Sequence, residues 1–161
     1  MERLWAPWRL EYIVGEKTEG CIFCVFPQQD DDRKNRILYR GKHAFVIMNA
    51  FPYSNGHLLI APYRHIADLS ELTDEESLET MQLVQRSIRV LREVFRPDGI
   101  NIGVNQGTAA GAGIADHIHT HLVPRWNGDT NFMPVFAEVK VIPEALEVTY
   151  DKLRPIFDGR Q

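Results

Sequence analysis

Three of the six histidines are spaced two residues apart, as His117-Ile118-His119-Thr120-His121. Side chains alternate along a strand, so all three imidazoles would project from one face, with Ile118, Thr120 and Leu122 on the other. Strand stability asks for no such row. Histidine fills apolar space poorly, and each ring nitrogen must find a partner when buried. Two chemistries suit the array. Alternating histidines can jointly hold a catalytic zinc that activates water. Alternatively, one imidazole is a nucleophile and its neighbours position a phosphate. With an ordinary pKa of about 6.5, an imidazole is largely neutral and nucleophilic near pH 7. A covalent step then divides one difficult displacement at phosphorus into two easier ones. The second nitrogen of such a nucleophile needs an acceptor to fix its tautomer, and a backbone carbonyl would serve. Spacing alone does not choose between the two chemistries.

The only two cysteines form Cys21-Ile22-Phe23-Cys24. In a reducing compartment that spacing is half of a metal site or a redox pair. A zinc site requires two further ligands, and a redox motif requires none.

The elements that must position these residues are short strands around one long helix. Strands are expected at Ile37–Arg40, Ala44–Asn49, His57–Ala61, Ile100–Asn105 and His117–Val123, separated by turn residues such as Pro52, Ser54, Asn55 and Gly56. The polar run from Gln28 to Asn35 reads as a solvated loop. Thr73-Asp74-Glu75-Glu76 fits a capping box. The apolar stripe Met81, Val84, Ile88, Leu91, Phe95 continues that helix until Pro97-Asp98-Gly99 stops it. A C-terminal helix is expected from Pro143 to about Phe157. Gln106–Gly113 reads as a loop of small residues ahead of the histidines. The pattern predicts an α+β fold: an antiparallel sheet of about five strands packed with one long helix and a C-terminal helix.

Bulk composition narrows the field. A length of 161 residues suits one domain with a real core. Its expected parts are an N-terminal extension 1–20, a zinc-binding and catalytic core 21–126, and a C-terminal segment 127–161. The net charge of −4 argues against nucleic-acid binding, although a small cationic pocket for phosphate remains compatible with it. No apolar run reaches the length of a membrane span, and the first residues lack the apolar stretch of a secretory signal. The expected address is therefore the cytoplasm, where thiols stay reduced.

His117 to Val123 resembles the His-x-His-x-His-x-x signature of the histidine triad family of nucleotidyl hydrolases and transferases, with polar Thr120 a mild departure. Further blocks agree in order: Asn49, then Asn55-Gly56-His57-Leu58-Leu59-Ile60-Ala61-Pro62, Tyr63-Arg64-His65-Ile66 and Asn105-Gln106-Gly107. Together they span roughly two-thirds of the chain, from Cys21 to Trp126. Leu4-Trp5-Ala6-Pro7-Trp8-Arg9 and the stretch from Pro124 to Phe132 look like the bacterial members related to diadenosine tetraphosphate phosphorylase.

The resemblance implies that His119 attacks an α-phosphate to form a nucleotidyl-histidine, which phosphate, water or another acceptor resolves. It implies that His121 bonds a phosphate oxygen, that His57 orients the site, and that Asn49 binds ribose. Asn105, with loop N–H groups of Gly111 and Gly113, would support the phosphate. Ile22, Phe23 and Ile47 match the base pocket or are ordinary core, and Trp126 stacks on an adenine or packs in the protein. Arg125 meets a distal phosphate or is simply solvated. Many members carry Gln followed by Ser or Thr just before the triad, where Gly113-Ile114 stands here. Resemblance to zinc-carrying bacterial members implies a structural zinc on Cys21, Cys24, His65 and His117, a closed four-ligand set. No organic cofactor is implied. The expected activity is phosphorolysis of diadenosine tetraphosphate to ATP and ADP. Its rivals are dinucleoside polyphosphate hydrolysis, adenosine phosphoramidase activity, and nucleotide-dependent regulation with incidental turnover. The expected partners are an adenine nucleotide or dinucleoside polyphosphate, inorganic phosphate, and a second copy of the chain in an edge-to-edge homodimer.

Overall fold

The computed structural model describes residues 19–129 and 142–159. The Leu4–Arg9 block and Thr130-Asn131-Phe132 lie outside the described residues. The elements run α1 (Ile22–Val25), α2 (Asp32–Asn35), β1 (Ile37–Arg40), β2 (Ala44–Met48), β3 (Leu58–Pro62), α3 (Asp74–Phe95), β4 (Gly99–Val104), β5 (Thr120–Arg125) and α4 (Leu146–Phe157). The five strands form one antiparallel sheet in the order β1-β2-β3-β5-β4. Among the described residues, no helix is long and apolar enough to cross a membrane.

Alternation along the central strands divides the core into two layers. Ala44, Val46 and Met48 of β2, Leu58 and Ile60 of β3, and Leu122 of β5 face α3 and α4, where they meet Leu83, Val84, Val90, Leu91, Tyr150, Leu153 and Phe157. The intervening Phe45, Ile47, Leu59 and Ala61 face the other way and bury Phe23 of the cysteine segment. Histidines 57, 119 and 121 stand beside this second layer, on the side that carries no long helix among the described residues.

The α3 start follows its sequence: Thr73 Oγ1 accepts from the Glu76 N–H, and the Glu76 carboxylate accepts from the Thr73 N–H at 2.9 Å. Its buried face differs from the expected stripe. Met81 is exposed, and Leu83, Ser87 and Val90 are buried with Val84 and Leu91. The inward face is rotated toward Leu83 because α4 packs alongside α3 and the sheet together. Three other expectations are corrected. The run from Gln28 to Asn35 is not a plain loop: Asp31 caps the short helix α2 by accepting from the Lys34 N–H. The C-terminal helix begins at Leu146 rather than Pro143. The histidine-bearing strand β5 begins at Thr120 rather than His117, which changes how the site is held.

Strand β5 starts where its neighbours begin to pair, with Thr120 opposite Ile60 of β3 and Val104 of β4. Residues 117–119 lie beyond both ladders. The Ile118 N–H instead donates to the Ile66 carbonyl at 2.7 Å. His117 and His119 therefore sit on an extended lead-in, and only His121 lies within the strand. Freed from a ladder, the carbonyl of His117 is available to a side chain.

Gly56 shows how the fold holds the neighbouring histidine. Its φ of +75° suits glycine, and a Cβ there would lie 3.1 Å from Cε2 of Phe95 and 3.3 Å from Cδ2 of Leu91. The chain turns hard against α3 at Gly56 and enters β3 with His57 buried behind it.

Candidate functional site

Cys21, Cys24, His65 and His117 converge, with one ligand atom from each lying within 4.8 Å of all the others. His117 Nδ1 is 3.4 Å from Cys21 Sγ, 3.5 Å from Cys24 Sγ and 3.1 Å from His65 Nδ1, and Cys24 Sγ is 3.3 Å from His65 Nδ1. Around a tetrahedral zinc, Zn–N and Zn–S bonds of about 2.0–2.3 Å place such ligand pairs about 3.3–3.8 Å apart. The three Cys–His distances fit that spacing, while the His65–His117 pair is slightly closer and the set as a whole extends to 4.8 Å. His117 Nε2 lies 2.8 Å from the Pro62 carbonyl, so Nε2 carries the proton and Nδ1 turns its lone pair to the cluster. A carbonyl that accepts from the other ring nitrogen is the usual way a ligating imidazole is oriented. Burial, with His65 and His119 adding to it, keeps His117 below the ordinary imidazole pKa against the opposing Pro62 hydrogen bond. Burial, and after it Cys21, pushes the Cys24 thiol up. That opposes the reactive thiolate a redox pair requires, whereas a bound cation would stabilise it.

His119 is buried and meets the opposite arrangement. Its Nδ1 lies 2.8 Å from the carbonyl of His117, so Nδ1 donates and the neutral ring keeps its lone pair on Nε2. Burial lowers its pKa, with the carbonyl bond opposing. Its ring centroid is 4.8 Å from Phe23 on one side and 4.8 Å from His121 on the other.

A chain of hydrogen bonds settles the next tautomer. The Tyr53 N–H donates to His57 Nδ1 at 3.0 Å, which leaves the proton of neutral His57 on Nε2. That Nε2 is 3.0 Å from His121 Nδ1. His121 Nδ1 thus accepts, and its proton resides on Nε2. Burial, and then the neighbouring His119, pushes the His121 pKa down to about 4. The site offers a lone pair from His119 Nε2 beside an N–H from His121.

The HIT domain family profile matches residues 31–128. This chain belongs to the HIT family. It is 40% identical over 158 residues to a Mycobacterium tuberculosis protein named AP-4-A phosphorylase, covering 92% of this chain and 80% of that one. A bis(5'-adenosyl)-triphosphatase from Dictyostelium discoideum is 30% identical over 132 residues, covering 78% and 88%. Among solved structures, a zinc-bound histidine triad family protein from Mycobacterium smegmatis aligns with a TM-score of 0.68 at 28% identity, covering 87% and 94%.

In this HIT protein the remaining expected residues are distributed unevenly around the histidines. Asn49 is half-buried; its Oδ1 accepts from the Phe51 N–H, and its Nδ2 lies 3.3 Å from His57 Nδ1. Phe23 and Ile47 are enclosed in the second core layer, where Phe23 also packs on His117, while Ile22 is only partly covered. Asn105 is half-buried beside a cavity of about 390 Å³ that also borders His121. The Gly111 N–H is engaged by the Thr108 carbonyl and the Ala112 N–H by the Gly107 carbonyl, so this part of the loop caps itself rather than presenting a row of donors. Gly113 is exposed, and the following Ile114 packs against the Phe23 layer. Trp126 is half-buried after β5, outside the lining of the cavity. Arg125 is neither simply solvated nor unattached: it makes bonds of 2.6 and 2.8 Å to Asp129 and one of 3.0 Å to Asn101.

Sequence reasoning passed over Tyr53, Asn101 and Pro62. The signal for Pro62 was present, since a strand ending in proline beside a metal-ligand candidate places a carbonyl nearby. Tyr53 carried no comparable signal, being one aromatic in a turn.

Proposed function

We propose that this HIT protein is a nucleotidyl transferase that cleaves dinucleoside polyphosphates, with diadenosine tetraphosphate and inorganic phosphate as its substrates. The observation that carries this reading is the 2.8 Å bond from His119 Nδ1 to the His117 carbonyl, which leaves Nε2 as a positioned nucleophile. The His119 Nε2 lone pair forms a bond to the α-phosphorus, and the bond from phosphorus to the bridging oxygen breaks with its electron pair leaving on ATP. An oxygen of inorganic phosphate then attacks the same phosphorus. The N–P bond breaks, its pair returns to Nε2, and ADP departs. The Nε2–H of His121 donates to a non-bridging oxygen through both steps, a contact that strengthens as charge develops. His57 is a positioning residue, because it fixes which His121 nitrogen bears the proton. Asn49 supplies ribose contacts, Ile22 the accessible edge of the base pocket with Phe23 and Ile47 behind it, and Asn105 and Gly113 further polar support.

Cys21, Cys24, His65 and His117 would hold a zinc ion, a reading supported by their spacing and by the zinc-bound Mycobacterium smegmatis relative. When bound, a four-ligand zinc supplies structural restraint and no open position for catalysis. Among the described residues strand β4 ends the sheet with Asn101 and Ile102 exposed, an edge able to take a second copy of the chain.

The Mycobacterium tuberculosis relative favours phosphorolysis, and the Dictyostelium relative favours hydrolysis as the second reading. A product assay on diadenosine tetraphosphate separates them. ATP plus ADP formed only with added phosphate supports phosphorolysis. ATP plus AMP without phosphate supports hydrolysis, and tight binding without turnover overturns both.

A further inference from the structure

Beyond His121 the site continues in a direction that the attack on the α-phosphate does not use. The rings follow in order: Phe23, His119, His121, then Tyr53, whose ring lies nearly parallel to His121 at 10° with centroids 5.9 Å apart. Tyr53 also packs on His57 at 4.6 Å, covering the hydrogen bond between the two histidines, yet 46% of its surface stays exposed. The cavity opens at this end and is lined by Tyr53, His121, Asn101, Asn105, Arg125 and Gly103, among others. The Phe23 end is closed by core.

We propose that this cavity holds the departing half of a dinucleoside polyphosphate, with Tyr53 stacking on its base. The proposal rests on the transferase reading above and extends it to the leaving group. Displacement at phosphorus is roughly in line, so the leaving oxygen departs on the side opposite His119 Nε2. A nucleoside polyphosphate leaving group then needs donors for its phosphates and a flat apolar surface for its base. Arg125 is pinned through Nε and Nη2 by Asp129 and through Nη1 by Asn101, so its two remaining Nη N–H groups are preorganised donors beside the Asn101 and Asn105 amides. An aromatic ring stacks on any base without a hydrogen-bond code. Gly103 pairs directly with His121 across the sheet, and a Cβ at Gly103 meets nothing within 4 Å. The floor beside His121 is open because that position has no side chain.

The test compares two adenylyl donors that share the attack by His119 but differ in what leaves. Diadenosine tetraphosphate releases ATP, and adenosine 5'-phosphoramidate releases ammonia. Gly103→Val fills the cavity floor without backbone strain, and Tyr53→Ala removes the stacking surface. Each variant is expected to lower the ratio of kcat/KM for the dinucleotide to that for the phosphoramidate about tenfold, mainly through KM, with Tyr53→Trp restoring the ratio. Equal losses on both donors, or a ratio within twofold of wild type, would overturn the subsite while leaving the transferase reading intact. Wild-type protein inert on both donors would overturn the transferase reading and the subsite with it.

Discussion

His117 and His119 are both buried, sit two residues apart, and are turned to opposite uses by the carbonyl each one meets. At His117 the Pro62 carbonyl takes Nε2 and leaves Nδ1 facing two thiols and a second imidazole. At His119 the acceptor is the carbonyl of His117 itself; it takes Nδ1 and leaves Nε2 beside His121. Identical side chains become a metal-ligand candidate and a nucleophile candidate through backbone placement alone. The two regions also share an atom group: residue 117 contributes its ring to one and its carbonyl to the other. A disturbance at the cysteines should therefore reach His119 through one residue.

Substitution of the nucleophile gives the largest effect. His119→Asn is expected to lower kcat by at least about 10³-fold while leaving metal content and melting temperature near wild type. Metal loss along with activity would show that the regions are not separable in that direction. The reverse disturbance comes next. Cys24→Ser, or treatment with a chelator, should reduce bound zinc below half an equivalent and lower the melting temperature by roughly 5–10 °C. It should also lower kcat more than it raises KM, because the His117 carbonyl loses its anchor. Unchanged kcat in metal-depleted protein would break the proposed coupling. For His57→Ala, an orientation loss of about 10²-fold in kcat is expected, visible in steady-state kinetics at unchanged zinc content. The smallest effect is in acid stability. The folded His121 pKa of about 4 lies below the ordinary imidazole value, so the unfolded chain takes up the proton first as pH falls. Its contribution is full above about pH 6.5 and is lost progressively as pH drops toward the folded value. Denaturant titrations of His121→Asn between those limits should show a shallower pH dependence than wild type, and an identical slope would contradict a half-buried imidazole kept neutral.

The sheet, its antiparallel sense and the long helix were legible because their signals are local: alternation in β2 and β3, and a complete capping box at Thr73. The four candidate metal ligands were legible through the family resemblance, since the Cys-x-x-Cys spacing alone left a redox pair open. Other features depended on contacts that no single segment encodes. Met81 matches the helical period, but α4, packed alongside, rotates the buried face toward Leu83. The three histidines alternate as in a strand, but pairing ends at Thr120, and that early end frees the His117 carbonyl. Tyr53 was missed because its role comes from a turn folding over β5, more than sixty residues further along the chain.

His119 is expected to attack through Nε2 because the His117 carbonyl occupies Nδ1. Reaction mixtures with diadenosine tetraphosphate, rapidly denatured at alkaline pH where the phosphorus–nitrogen bond survives and analysed by mass spectrometry and by phosphorus–nitrogen NMR, test it directly. An adenylyl group on His119 bonded at Nε2 is the expected result. An adduct at Nδ1, an adduct on His117 or His121, or turnover with inversion at phosphorus and no adduct would contradict it.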